Sequence, residues 1–249
     1  MLIDSHVHVG QFYEMYHTPT SVIKLMADVG VDYYAVSSTT TCEENFEKVL
    51  HEIEELVWND EGKVLPVMWI TPDSLNGNIG WLIDSNIKWK CVKVHPFLHP
   101  NDWDPRGEQF SEVIDIVTEL NVPLLIHTGK DVCCHAGKYE ELIAQNPNIN
   151  FILAHGCPIG ETINLLKRYD NAYSDSAFMP IEDMVKIIDD KLSGKLLWGT
   201  DMMIPMHYSP QEDMKEYYLK KLQSFKRICP IADYEIITWQ NANSLFALA

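Results

Sequence analysis

Basic residues are scarce in this sequence of 249 residues: 19 lysines and arginines stand against 36 aspartates and glutamates, for a formal net charge of −17. Nucleic acids and anionic membrane surfaces are bound through basic patches, so neither class of partner is expected. Apolar runs approaching the roughly 20 residues of a membrane-spanning helix are absent as well. We therefore expect a small molecule as the partner, and the oligomeric state is left open, a homo-oligomer included.

Cysteine is present without a pattern that indicates cross-linking or metal binding. The six cysteines contain no C-x-x-C pair, and the adjacent Cys133 and Cys134 would form a disulfide only in a strained geometry. Reduced thiols are typical of the cytoplasm. The N-terminus also lacks the basic and apolar regions of a secretion signal, so we expect a cytoplasmic protein.

Two histidines lie two residues apart in a strand-like stretch near the N-terminus. Alternate side chains of a β-strand share a face, so His6 and His8 project to the same side, roughly 6–7 Å apart at the backbone. That spacing allows both rings to bind one divalent ion. The same alternation predicts that Asp4 shares their face, while Ile3 and Val7 lie on the opposite one.

Four later strand-like runs end in residues that bind metals or transfer protons. These residues are His95, His127, His155 and Asp201, each followed by a glycine, a proline or a turn. The carboxyl ends of parallel strands meet at one rim of a barrel, which is where the active sites of such folds lie. Lys93 shares a strand face with His95. Asp175 ends a further strand, where it either lines the site or caps the following loop.

Strand-like and helix-like segments alternate along the whole chain. The predicted strands are 2–9, 32–38, 64–70, 90–95, 122–127, 150–155, 171–175 and 195–200. Each is followed by a segment with helical periodicity, such as 43–58, whose apolar residues face the sheet while Glu52 and Glu55 face solvent. Eight such units in about 250 residues predict the α/β class, as a single (β/α)8 TIM barrel that spans residues 1–249.

The longest loops after the strands are predicted to form the mouth of the site, because loops carry specificity on a rigid scaffold. They cover residues 10–19, 96–107 and 202–210. The chain has only three arginines, and Arg106 alone lies in one of these loops. We therefore interpret Arg106 as a candidate substrate-binding residue, together with Lys93 and His95.

Five motifs follow one another in a fixed order. They are HxH at 6–8, KxHP at 93–96, IHTG at 126–129, AHG at 154–156 and GTD at 199–201, before a closing NANSLF segment at 241–246. In this combination and order, over residues 2–248, the sequence resembles the amidohydrolase superfamily. Within it, the chain is similar to the amidohydrolase-related branch of metal-dependent TIM-barrel hydrolases and decarboxylases.

The resemblance implies a role for each of these residues. It assigns the metal ligands to His6, His8, His127 and Asp201. It also implies that Asp201 handles a proton and that His155 acts as a second acid or base. We expect one divalent ion, Zn²⁺ first, with Mn²⁺, Fe²⁺ and Co²⁺ as alternatives. In binuclear relatives the counterpart of His155 binds a second ion and a carboxylated counterpart of Lys93 bridges the two; here we expect one ion and unmodified Lys93.

Two reactions and one non-catalytic alternative fit this set of residues. The first is hydrolysis of a small amide, lactone or ester by water whose pKa a metal lowers to about 7. The second is nonoxidative decarboxylation of a small aromatic acid. Carboxylate recognition favours arginine, and the scarcity of arginine here favours hydrolysis. The third alternative is a metal-binding protein without catalytic activity.

Overall fold

The computed structural model describes residues 1–43, 45–77, 79–99 and 103–248. Positions 100–102 of the predicted mouth loop 96–107 lie outside the described residues. Within the described residues, one sheet contains nine strands in the order β2-β1-β3-β4-β5-β6-β7-β8-β9. They are β1 (Ile3–Phe12), β2 (Met15–His17), β3 (Tyr33–Ser38), β4 (Val64–Ile70), β5 (Cys91–Val94), β6 (Leu124–His127), β7 (Phe151–Ala154), β8 (Ala172–Asp175) and β9 (Leu196–Leu197).

The sheet closes into a barrel. The strands from β1 and β3 through β9 pair in parallel, and only the short β2 pairs antiparallel to β1. Beyond β9 the chain returns to β1: the Ser5 amide donates to the Trp198 carbonyl at 2.9 Å, and the Asp201 amide donates to the His6 carbonyl at 2.8 Å. This closure confirms the predicted α/β TIM barrel. That residues 1–249 form a single domain stays a prediction.

The helices follow the strands and cover the outside of the barrel. They are α1 (Pro19–Val29), α2 (Phe46–Asn59), α3 (Pro72–Leu75), α4 (Ile79–Ile83), α5 (Glu108–Leu120), α6 (Glu140–Gln145), α7 (Ile159–Arg168), α8 (Ile181–Asp189), α9 (Pro205–Tyr208), α10 (Met214–Ile228), α11 (Ile231–Glu235) and α12 (Asn241–Leu245). Short 3-10 turns lie at Thr39–Glu43, Val132–Cys134, Ala136–Tyr139 and Ser193–Lys195. A π-helical turn, Ile236–Gln240, precedes α12. No helix of the described ranges has the length and apolarity to cross a membrane.

Helix α1 illustrates how local sequence sets these boundaries. The Thr18 hydroxyl accepts a hydrogen bond from the Ser21 amide, and Pro19 occupies the first helical position, where its missing N–H costs nothing. The helix ends at Gly30, whose φ of 76° lies in the left-handed region. The apolar side chains between these two ends, among them Val22 and Met26, are buried against the sheet.

Two apolar clusters lie on opposite sides of the strands. The outer cluster fills the space between the sheet and the helices. The inner cluster fills the lower part of the barrel, and its members include Ile3, Leu65, Leu125, Ile152 and Leu197. Ala242 and Phe246, in and just after α12, belong to the inner cluster and close the barrel from below. The upper part of the barrel is therefore left for polar side chains.

The structure corrects the prediction for the face of Asp4. The register of β1 against β3 shifts between Asp4 and Val7, and such a bulge moves later side chains to the opposite face. Ile3 consequently lies in the inner cluster while Val7 lies in the outer one. Asp4 is buried behind the strand, where it accepts hydrogen bonds from the amides of His6 and Thr200, each at 3.1 Å.

The expectation that Glu52 faces solvent is also wrong. Its side chain is 1% exposed. Oε2 accepts a hydrogen bond from Ser38 Oγ at 2.6 Å, and Oε1 accepts one from Thr40 Oγ1 at 2.9 Å. Ser38 is the last residue of β3 and Thr40 lies in the turn that follows it, so Glu52 links α2 to the rim of the barrel. The hairpin formed by β1 and β2, which packs against this rim, was not predicted either.

Candidate active site

The residues singled out in the sequence gather at the carboxyl end of the barrel. His6 and His8 lie in β1, Lys93 in β5 and His127 at the end of β6. His95 and His155 directly follow their strands, and Asp201 lies in the loop after β9. The short strands deliver these side chains to one rim because all eight run in the same direction around the barrel.

Three of them form a tight group. His6 Nε2 lies 3.2 Å from Asp201 Oδ1, and His8 Nε2 lies 2.9 Å from the same oxygen. The ligand atoms of these three side chains all fall within 4.8 Å of one another. All three side chains are at least nine-tenths buried. The group is therefore compact enough to hold one ion.

The ring nitrogens that face this group carry lone pairs. His6 Nδ1 donates to Asp175 Oδ2 at 2.8 Å, and His8 Nδ1 lies 3.3 Å from the Ser37 carbonyl oxygen and 3.1 Å from Ser37 Oγ. A neutral ring has one N–H, so each ring presents Nε2 as an acceptor when that proton is on Nδ1. Burial and then the charge of Lys93 lower the pKa of His8 to about 3, which keeps its ring neutral.

Asp201 adds negative charge to the same group. Burial opposes its ionisation, but the neighbouring imidazoles of His6 and His8 outweigh it and hold the pKa of Asp201 well below the usual range. Acceptor nitrogens and a carboxylate oxygen at these distances repel one another unless a cation lies among them. Lys93 supplies one, since its Nζ lies 3.0 Å from both Nε2 atoms.

This donor set also fits a divalent metal ion. Neutral imidazoles with one carboxylate are common ligands of zinc and related ions. Each ring is oriented through its other nitrogen by a carboxylate or a backbone carbonyl, as metal-binding histidines usually are. His6, His8 and Asp201 therefore form a group that can hold a metal ion.

His127 and His155 form a second arrangement beside the first. His155 Nδ1 donates to the Ala177 carbonyl at 3.0 Å, and its Nε2 faces His127 Nδ1 at 3.1 Å. The His155 ring stacks on His6 with a centroid distance of 5.4 Å. Among the described residues, His127 belongs to neither of the two ligand groups, which are His6, His8 and Asp201, and His6, His155 and Asp175.

Asp175 does more than the sequence suggested. It is fully buried, and its Oδ1 accepts from the amides of His155 at 2.9 Å and Ala177 at 3.0 Å while Oδ2 binds His6. Burial opposes ionisation, yet the electrostatic attraction of the His6 ring and its hydrogen bond lower the pKa of Asp175. The only sequence feature that pointed to Asp175 was its position at the end of a predicted strand. In the structure, Asp175 orients both His6 and His155.

His95 contributes an aromatic surface. Its ring lies between Trp69, at 5.4 Å, and His127, at 3.8 Å, with an interplanar angle of 15° to each. The buried Nδ1 of His95 has no hydrogen-bond partner within the part of the chain that the structure describes. The Lys93 ammonium lies 4.3 Å above the Trp69 ring.

A cavity of about 630 Å³ opens above these residues. Its lining is mainly apolar and aromatic, and includes Phe12, Tyr13, Trp69, Phe97, Phe178 and Tyr208. Lys130 lines it as well, although the sequence gave no reason to select that residue. Arg106 does not belong to the described lining; it is exposed and lies 3.9 Å from Asp104.

Comparison with known proteins gives one family. A family model described as amidohydrolase matches residues 3–248. No curated protein matches the sequence.

Solved structures share the fold over the whole chain. A probable 2-pyrone-4,6-dicarboxylic acid hydrolase from Acinetobacter baumannii is 14% identical, with a TM-score of 0.69 and 99% of each chain covered. An amidohydrolase from Burkholderia multivorans with bound zinc is 11% identical, with a TM-score of 0.69 and 100% of each chain covered. A 2,6-dihydroxybenzoate decarboxylase from Rhizobium is 13% identical, with a TM-score of 0.65 over 99% of this chain and 98% of that one.

Proposed function

The chain belongs to the amidohydrolase family, and from that premise we propose that it is a metal-dependent hydrolase of a small amide, lactone or ester. The observation that carries the proposal is the group of His6 Nε2, His8 Nε2 and Asp201 Oδ1, three acceptors that converge at 2.9 to 3.2 Å. A divalent ion held there would lower the pKa of a water molecule and polarise a carbonyl oxygen.

The chain's own residues supply the proton transfers. Asp201 is ionised because its pKa lies well below the usual range, so it can accept a proton from the attacking water and return it to the leaving group. Burial lowers the pKa of His155, so its ring is neutral near pH 7. With Nδ1–H donating to Ala177, His155 Nε2 is the atom that takes up or returns a proton.

We propose a single ion, and we expect Zn²⁺ to be the best match among Zn²⁺, Mn²⁺, Fe²⁺ and Co²⁺ in a reconstitution series. One observation favours a second ion instead: His155 Nε2 and His127 Nδ1 face each other at 3.1 Å, and both side chains line the same cavity as Lys93. Metal content near one per chain supports the proposal. Content near two, or a carbamate signal on Lys93 after growth with isotope-labelled bicarbonate, would replace it with the binuclear form.

The reaction is tested by reconstitution followed by substrate comparison. Metal-free protein is loaded with each ion in turn and assayed against small amides, lactones, esters and aromatic carboxylic acids. We expect hydrolysis that depends on the ion and is lost in Asp201→Asn but kept in His51→Asn, a variant of an exposed histidine. Release of CO₂ from an aromatic acid, with every amide, lactone and ester left intact, would establish the decarboxylase alternative instead.

The remaining proposals concern substrate binding, domain organisation and cellular location. We propose that it acts on a small molecule bound in the 630 Å³ cavity, as a single domain in the cytoplasm. Lys93 and His95 lie in that cavity and keep their proposed substrate-binding role. Arg106 is proposed for the same role only if substrate binding brings its loop to the cavity, because the structure has it paired with Asp104.

A further inference from the structure

Lys221 reaches the candidate site from behind the barrel. It lies in α10, and its Nζ donates to the carbonyl oxygens of Ser176 at 2.8 Å and Gly199 at 3.2 Å. Ser176 directly follows Asp175, and Gly199 lies two residues before Asp201. One ammonium group therefore holds together the two strand ends that carry these carboxylates.

The two strand ends are also joined directly. Ser176 Oγ donates to the Gly199 carbonyl, and the Gly199 amide donates to Ser176 Oγ, both at 3.0 Å. A Cβ atom added at Gly199 would lie 3.2 Å from His6 Cβ and 3.3 Å from Asp175 Cβ. Because Gly199 packs this closely, a displacement of its carbonyl would also displace His6 and Asp175.

The ammonium also balances charge. Asp4, Asp175 and Asp201 are each at most 5% exposed, and Lys221 attracts all three. Lys93 attracts Asp175 and Asp201 from the cavity side, and Lys221 attracts them from the opposite side of this layer. Burial lowers the pKa of Lys221 to about 8, which leaves it charged near pH 7.

We propose that Lys221 is a positioning residue for the metal centre, which it serves by holding the ends of β8 and β9 so that Asp175 orients His6 and Asp201 meets the ion. This inference rests on the proposed metal site. Residues that orient metal ligands from behind typically change metal affinity by about 10- to 100-fold when replaced. Replacement of Lys221 by a neutral residue should weaken the site by a factor in that range.

The experiment measures Co²⁺ affinity of the full-length, metal-free protein by competition with a chelator, together with the absorption spectrum of the loaded protein. Lys221→Met removes the charge and the donors, and Lys221→Arg retains both. Lys220→Met is the matched control, since Lys220 is the adjacent residue of α10, is 72% exposed and lies 3.9 Å from Glu216. We expect weaker binding and an altered spectrum for Lys221→Met, recovery in Lys221→Arg, and wild-type behaviour for Lys220→Met.

The outcomes separate this inference from the proposed function. Unchanged Co²⁺ affinity and spectrum in Lys221→Met, with normal binding by the wild type, would overturn the inference alone. A Lys221→Arg variant as weak as Lys221→Met would overturn it too, because charge and donors would then be irrelevant. A wild-type protein that binds no Co²⁺ would overturn the proposed metal site, and this inference with it.

Discussion

The lower and upper halves of the barrel are built from the same strands but contain opposite chemistry. In β5, Cys91 belongs to the inner apolar cluster and Lys93, two residues on, belongs to the polar site. In β6, Leu125 and His127 repeat this relation. Side chains two residues apart share a face and lie roughly 6–7 Å apart. Two residues along a strand are therefore enough to pass from the apolar cluster to the functional site.

The two halves differ in how their buried groups are stabilised. Apolar side chains in the lower half stabilise the folded state because their burial removes apolar surface from water. Polar and charged side chains above lose hydration, which costs several kcal/mol per ion unless partners compensate. The partners are visible: Asp175 for His6, the Ser37 carbonyl for His8 and the Ala177 carbonyl for His155. We infer that substitutions in the upper half of the barrel reduce activity more than stability, and that substitutions in the lower half reduce stability more than activity.

The sharpest test of this division is the double variant His6→Ala with His8→Ala. Two of the three converging acceptors disappear, so we expect metal content to fall from near one per chain to background. The inner cluster below is untouched, so the circular dichroism spectrum and a cooperative melt should be retained. Elemental analysis and thermal melts measure both, with His51→Ala as a control on the exposed face of α2. Full metal occupancy in the double variant would show that the ion is held elsewhere.

A second test separates proton transfer from metal binding within the upper half. His155→Asn keeps a hydrogen-bonding side chain but removes the ring that exchanges a proton, so kcat should fall by about 10²–10⁴-fold. Metal content should stay near the wild-type value, because His155 is not part of the group formed by His6, His8 and Asp201. Unchanged kcat would remove His155 from the mechanism, and loss of an ion would identify it as a ligand.

The division between the halves was partly predictable from sequence. Most strands of the barrel appear in the sequence as local apolar runs, and His127 and Asp201 appear as polar residues at the ends of such runs. Parallel strands bring these ends to one rim, which is why His6, His8 and Asp201 could be placed together before the structure was known. Their role as metal ligands stays a prediction.

The remaining features depend on contacts between distant segments. The bulge after Asp4 reverses the face of Ile3 without any local signal. Glu52 sits at a polar position of an amphipathic helix, and only the hydroxyls of Ser38 and Thr40, from another element, explain its burial. Lys221 looks like one more lysine of a surface helix until its carbonyl partners are known.

A third test targets the lower half. Leu125 is 3% exposed and lies in the inner cluster, so Leu125→Ala should lower the free energy of unfolding by about 2–5 kcal/mol. The folded fraction should still bind metal with wild-type affinity, because His127 and the rim lie above the cavity created. Denaturant unfolding and metal titration measure these, with the 93% exposed Ile231 changed to Ala as control, at about 0.5 kcal/mol or less. Metal loss that exceeds the unfolded fraction would mean that the halves are coupled.

The smallest expected effect concerns Gly10, where the upper half itself depends on packing. Gly10 has a φ of 94°, and an added Cβ would clash with Thr40 Oγ1 and lie 2.6 Å from Glu52 Oε2. Gly62 offers a matched control, since its φ is 82° but no atom lies within 4 Å of an added Cβ. Both Ala variants therefore incur backbone strain, but only Gly10→Ala also crowds the buried carboxylate.

The difference between these two variants isolates the cost of that crowding. Overpacking of a buried site costs about 1–3 kcal/mol, so Gly10→Ala should be less stable than Gly62→Ala by that amount in denaturant unfolding. Since Gly10 lies in β1 beyond His8, a loss of this size would show that the rim above the metal ligands is also held by packing. Equal stabilities of the two variants would mean that the hydrogen bonds of Glu52 rearrange without loss of stability. The stabilising role would then belong to the lower half of the barrel alone, and the functional role to the upper half.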